Sequence, residues 1–209
     1  GVDVAMGSGY DYFAKRKDGR NILKEMSDSG YRVVGNIDEL DGVSSGRTLV
    51  VYDYGKNVMP MMSAGRGDYL PRATAKSMEI LGSTFHKGFF LMVEGSQIDF
   101  AAHDNDAKKI YEEVADFDRA VGEAFDYADK HPGTLVVVLA DHETGGLSIA
   151  SKKADFTKGE SGIDYRFGST SHTGTLVPMF AYGCGAENFS RVMDNTEVSL
   201  TIQRLLDLK

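Results

Sequence analysis

Short apolar, β-branched runs alternate along this chain with longer stretches of helical period, a pattern that predicts an α/β protein on a mainly parallel sheet. Candidate strands are Val2–Met6, Tyr31–Val34, Thr48–Tyr52, Gly88–Val93, Thr134–Ala140 and Val177–Tyr182. The runs FFLMV and TLVVVLA are apolar at successive positions, as strands covered on both faces are. Helical spacing marks Asn21–Ser27, Ala73–Leu81, Asp106–Lys130 and Thr196–Leu208. In the third, Ile110, Val114, Phe117, Val121, Phe125 and Ala128 fall on one stripe. Asp194 or Asn195 is placed to cap the last helix. The stretch Ser151–Ser171 is polar and Gly/Ser-rich, and reads as a surface excursion. With no repeat and no low-complexity linker, residues 1–209 read as a single unit. The chain opens in a strand-like segment, GVDVAMGSGY, without Met or a charged leader, and so reads as cut from something longer.

Composition narrows the partners. Against 23 Lys and Arg stand 31 Asp and Glu, a net charge of -8, and no dense basic stripe is present to neutralise phosphates. A nucleic-acid partner is therefore not expected. No apolar run reaches the roughly 18 residues that a membrane helix needs, so no membrane partner is expected either. Cys184 is the single cysteine, which rules out an intrachain disulfide and a Cys-based zinc site.

The chemistry gathers where apolar runs end. In GFFLMVEGSQIDFAAHDNDA a strand-like run closes on Glu94, and Asp99 and His103 follow four residues apart. A helical turn spanning Asp99 to His103 puts both side chains on one face, within reach of one cation. In TLVVVLADHETGGL the next run ends on the adjacent pair Asp141–His142. Neighbouring side chains face one ion only where the backbone turns, and Gly145 and Gly146 supply that freedom just downstream. His172, in SHTGTLVP, follows the polar excursion. A loop histidine is most often a solvated side chain, but this one joins a set of one Glu, two Asp and two other His at strand ends. That N/O set suits zinc, with a harder oxygen site nearby. His86 and His131 precede apolar runs and are read as structural.

These segments, in this order, resemble the alkaline phosphatases. VEGSQIDFAAHDNDA, LADHETGG, HTG and FAYGCGAENFSRVMDNTEV look like successive blocks of that family, and DVAMGSGYDYF with KDGRNIL look like the region before them. The likeness is weakest over Leu40–Leu70 and Ser151–Ser169. It implies an α/β/α sandwich, here truncated at its N-terminal side, and hydrolysis of phosphate monoesters through a phosphoserine. It also implies two zinc ions and a magnesium. Asp99, His103 and His172 would hold the first zinc, Asp141 and His142 part of the second, and Glu94 part of the magnesium site. Family members are commonly dimeric, and a homo-oligomer follows also from the sheet edges a truncated chain would expose. Light scattering showing only monomer at high concentration would contradict that. A periplasmic or secreted location is likewise implied by the resemblance alone.

Departures from the family pattern are as specific. The nucleophile's Asp-Ser-Ala motif is absent, as are the phosphate-binding Arg and the upstream metal ligands. Asp28-Ser29-Gly30 imitates that motif but reads as a helix-ending turn. The second zinc and the magnesium are accordingly incomplete, and the 209-residue chain alone is expected to be inactive. Two alternatives stand beside this reading. One is a related superfamily metallohydrolase of phosphodiesterase, sulfatase or phosphoglycerate mutase type; the other is a non-catalytic metal-binding module.

Overall fold

The computed structural model describes residues 1–85, 87–151 and 163–207. His86, the centre of the excursion and Leu208 lie outside the described residues. The chain forms two compact units: residues 1–95 with 115–123, and residues 96–114 with 124–209.

In the first unit the parallel pattern is realised. β1 (Val4–Gly7) is followed by helices α1 (Tyr10–Ala14) and α2 (Ile22–Asp28), then β2 (Arg32–Val34) and β3 (Thr48–Val51). β3 lies between the other two, parallel to both, with Val4 and Arg32 both level with Thr48. All four residues of β3 are buried, which is why TLVV is apolar except for a threonine. Val50 packs with Ile37 and Leu40, and with Tyr69, Ala73 and Ile80 of α3 (Tyr69–Thr84). Helix α3 thus begins a turn before the expected Ala73. The Asp28-Ser29-Gly30 turn ends α2: Gly30 takes φ +89, its N–H bonds the Ser27 carbonyl, and the Tyr31 N–H bonds that of Met26. This is the paired bonding of a glycine-terminated helix, so Ser29 is spent on the chain's course.

One expected strand is missing. Gly88–Val93 forms no strand among the described residues, although exposure alternates along it as in extended chain. Phe90 and Met92 are 63% and 76% exposed. An apolar run becomes a strand only when neighbours satisfy its N–H and C=O groups and cover its faces.

The second unit contains α4 (Gln97–His103), the ends of α5 (Ala107–Lys130), and then β4 (Leu135–Leu139), β5 (Glu143–Thr144) and β6 (Ser148–Ser151). After these come β7 (Ile163–Arg166), β8 (His172–Thr173), β9 (Met179–Gly183) and α6 (Asn195–Leu205). All three ladders here are antiparallel: β4 with β9, β5 with β8, β6 with β7. The polar excursion is therefore partly regular, since its flanks form the β6–β7 pair. Helix α6 stops at Leu205, short of the expected end, and Asp207 turns into the left-handed region at φ 51. Asp194 does precede α6 as its cap, and its N–H bonds Glu197 Oε2 at 3.0 Å.

Gly183 closes β9 with φ +88, and a Cβ there would lie 2.3 Å from the Thr134 carbonyl oxygen. That oxygen already accepts the Cys184 N–H at 2.9 Å and belongs to the main chain, so it cannot swing aside. Gly183→Ala is expected to lower stability by about 2–4 kcal/mol, from backbone strain and overpacking together. A denaturant midpoint unchanged from the parent chain would refute this.

Candidate metal centre

Helix α4 carries the first two donors. Its buried side is Gln97, Ala101 and Ala102, which leaves Asp99 and His103 together on the other side. The helix ends where Asn105 enters the left-handed region at φ 54. The Asn105 N–H then bonds the Ala102 carbonyl at 3.0 Å and the Asp106 N–H that of Ala101 at 3.1 Å. Asparagine tolerates that conformation better than most residues, and the termination fixes His103 in the last turn. One turn apart, His103 Nε2 and Asp99 Oδ2 are separated by 3.4 Å. The i,i+4 geometry expected from sequence is thus present, on a helix of its own.

The third donor arrives by way of a glycine turn. Gly145 and Gly146 take φ +91 and +59, and a Cβ on Gly145 would sit 3.1 Å from the Ala102 carbonyl. Only a glycine lets this turn lie so close against the end of α4. It holds β5 beside the helix, and β8 pairs with β5 so that Thr144 faces His172. His172 Nε2 comes to 3.2 Å from His103 Nε2 and 3.7 Å from Asp99 Oδ1. One donor atom from each of the three residues lies within 4.8 Å of the other two.

Hydrogen bonding prepares these atoms to donate lone pairs. His103 Nδ1 is 2.7 Å from the Thr170 carbonyl, which can only accept, so Nδ1 carries the hydrogen and the neutral ring keeps Nε2 bare. Thr144 Oγ1 donates to Asp99 Oδ1 at 2.6 Å and lies 3.2 Å from His142 Nδ1. With its hydrogen committed to the carboxylate, that hydroxyl accepts from His142 Nδ1, which leaves His142 Nε2 bare as well.

The Asp141–His142 pair stands next to this group. The His142 ring stacks on that of His172 at 3.6 Å between centroids, and its Nε2 is 3.4 Å from Asp141 Oδ2. Asp141 is largely exposed, with 88% of its side chain open to solvent. Glu143, between His142 and Thr144, faces the other way. Its carboxylate takes the Thr173 hydroxyl and the N–H groups of Gly146 and Leu147. The Thr173 hydroxyl, ahead of the backbone donors, holds the Glu143 carboxyl below the usual carboxylate range. Glu94 belongs to the first unit, where it is exposed, and its role as a metal ligand rests on the resemblance alone. His131 behaves as the sequence suggested: it ends α5, bonds the Tyr127 carbonyl at 2.8 Å and stacks on that ring.

Two imidazoles and a carboxylate are donors of the kind that zinc takes. A tetrahedral ion with bonds of about 2.0–2.1 Å keeps its ligand atoms roughly 3.3–3.4 Å apart. The two imidazole Nε2 atoms are 3.2 Å apart, close to that spacing, while Asp99 approaches them with different oxygens, Oδ2 at 3.4 Å from His103 and Oδ1 at 3.7 Å from His172. Two imidazoles and one carboxylate leave the fourth position open, the pattern of catalytic zinc.

A parallel α/β unit, with an Asp/His/His set brought together at a helix end and a short ladder, defines an α/β protein with a candidate metal centre. The chain belongs to the alkaline phosphatase family, whose model matches residues 1–164. It is 31% identical to alkaline phosphatase 4 of Bacillus subtilis, aligning over 98% of this chain and 58% of that one. It is 30% identical to the streptomycin-6-phosphate phosphatase of Streptomyces griseus, over 99% of this chain and 56% of that one. Among solved structures it is similar to the alkaline phosphatase of the Antarctic bacterium TAB5, at a TM-score of 0.87 and 34% identity. That match covers 99% of this chain and 61% of the other. A variant of the same enzyme, described with Mg bound in its M3 site, matches at 0.85 and 33%, over 100% of this chain and 61% of its own. The chain therefore spans well under two thirds of the length of these relatives.

Proposed function

We propose that residues 1–209 form the metal-binding part of a phosphomonoesterase. In this reading Asp99, His103 and His172 hold one zinc. Asp141 and His142 contribute to a second zinc, and Glu94 to a magnesium. The observation that carries it is the convergence of one aspartate and two histidines, with a donor atom of each within 4.8 Å of the others and the two histidine Nε2 atoms 3.2 Å apart. The phosphatase names of the relatives supply the reaction class. A periplasmic or secreted location goes with the same reading; among the described residues no helix is long and apolar enough to cross a membrane.

The chain's own residues do the arranging. The Thr170 carbonyl keeps His103 in the tautomer that points a lone pair outward, and the Thr144 hydroxyl fixes the Asp99 carboxylate. His172, stacked on His142, carries an imidazole donor across from α4. Bound there, zinc would supply positive charge against the oxygens of a phosphoryl group and lower the pKa of a coordinated water or hydroxyl. The sequence offers no Asp-Ser-Ala motif, so the serine acceptor that the family resemblance implies is not among these residues.

Two measurements test the proposal. The 209-residue chain with zinc added is expected to hydrolyse p-nitrophenyl phosphate no faster than buffer with zinc. The protein in its full length is expected to hydrolyse it, and to lose that activity with His172→Ala. A full-length protein that is inert to monoesters but cleaves diesters or sulfate esters would place the site elsewhere in the wider superfamily.

A further inference from the structure

His172 sits on a strand of two residues, and a ladder that short is marginal by itself. Its register is critical, because a slip of one residue turns every side chain to the opposite face. The bonds at the neighbouring ladder position answer that weakness. Glu143 is level with Thr173, one step from the Thr144–His172 pair. Its carboxylate accepts the Thr173 hydroxyl from β8, and the Gly146 and Leu147 N–H groups at 3.1 and 3.2 Å from the glycine turn. Bonds to an ionised acceptor are about twice as strong as neutral ones, and these three tie one strand, its partner and the turn between β5 and β6 to a single group. The Gly145 N–H to Ser171 carbonyl bond, at 3.0 Å, continues the same seam but cannot by itself choose the face His172 presents.

We propose that Glu143, through Thr173, is a positioning residue that locks the β5–β8 register and so holds His172 at the metal centre. The inference rests on the zinc reading above, and the bonds it invokes are made by Glu143 and Thr173, not by the side chains assigned to zinc.

The test uses zinc and cobalt(II) titrations of the 209-residue chain against a competing chelator, with the visible cobalt spectrum and the apo thermal melt as further readouts. Thr173→Val keeps the shape and removes the hydroxyl; Thr173→Ser keeps the hydroxyl. Thr173→Val and Glu143→Gln are expected to weaken zinc by about 10–100-fold, as loss of a supporting partner does. Both should dim the four-coordinate cobalt bands while the apo melt stays cooperative. Thr173→Ser is expected to bind like the parent chain. Equal affinity across all four chains would overturn the inference and leave the zinc site standing. Equal loss in Thr173→Ser and Thr173→Val would also overturn it, since the hydroxyl would then be irrelevant. So would a variant whose apo melt has vanished, because a positioning role requires an intact fold. An unsubstituted chain that binds neither metal would sink the zinc reading itself, and this inference with it.

Discussion

His103→Ala is expected to weaken zinc binding to the 209-residue chain by more than about 100-fold, a loss of roughly 2.7 kcal/mol or more. Three potential protein donors converge here, and the orientation of His103 is set by a hydrogen bond. Its Nδ1 is engaged by the Thr170 carbonyl at 2.7 Å, so its Nε2 meets an incoming ion without a change of tautomer or rotamer. Taking it away leaves one imidazole and one carboxylate, which is too few for a protein zinc site. Removing a supporting partner costs about 10–100-fold, and removing the ligand it supports should cost at least the upper end of that range. Competition against a chromophoric chelator measures the change. His131→Ala serves as the control, because that ring bonds only its own helix in the described structure and should leave affinity unchanged. Matching losses in the two variants would mean that the zinc being measured sits elsewhere.

The largest effect on stability is expected from Asp116→Ala, at about 3–5 kcal/mol. Asp116 lies on the part of α5 that belongs to the first unit, and its side chain is fully buried. It receives Arg66 Nη2 at 2.7 Å and Arg119 Nη2 at 2.5 Å. The Arg66 side chain is itself only 5% exposed, with Nη1 bonded to the Pro60 carbonyl at 3.1 Å. Both charges have left water, and alanine at 116 would take a buried carboxylate away from the guanidinium it pairs with. The double change Arg66→Met with Asp116→Leu should recover most of the loss, since apolar groups of similar volume carry no such penalty. Urea midpoints compare the chains. A loss below about 1 kcal/mol in Asp116→Ala would mean that the pair behaves as a surface contact.

Asp99, His103, Asp141 and His142 stand out in the sequence because each follows an apolar run or closes a helical repeat, whereas His172 follows a polar stretch and reads only as one of the set. Asp99 and His103 are four apart, and one helix turn delivers both to one face. The supporting atoms were harder to see. Thr144 stands two residues beyond His142, on the same side of a short strand, and that spacing could have been read. The Thr170 carbonyl could not, since a backbone oxygen has no signature in residue type. The pairing of Glu143 with Thr173 spans 30 positions and depends on a register that two-residue strands do not announce. On the fold side, TLVVVLA reads as a strand covered on both faces; it does form β4, but half-buried and paired among the described residues with β9 alone, while FFLMV carries the same pattern and forms no strand. Apolarity on both faces states what a segment needs around it, and whether the neighbours are there is settled by packing.

The most direct measurement is zinc content by elemental analysis after loading with excess zinc and exhaustive dialysis. About one zinc per chain should remain, held by Asp99, His103 and His172, and a chain carrying alanine at all three positions should retain none. Zinc retained at the same level in that triple variant, or none in the unsubstituted chain, would contradict the metal centre on which the phosphatase reading stands.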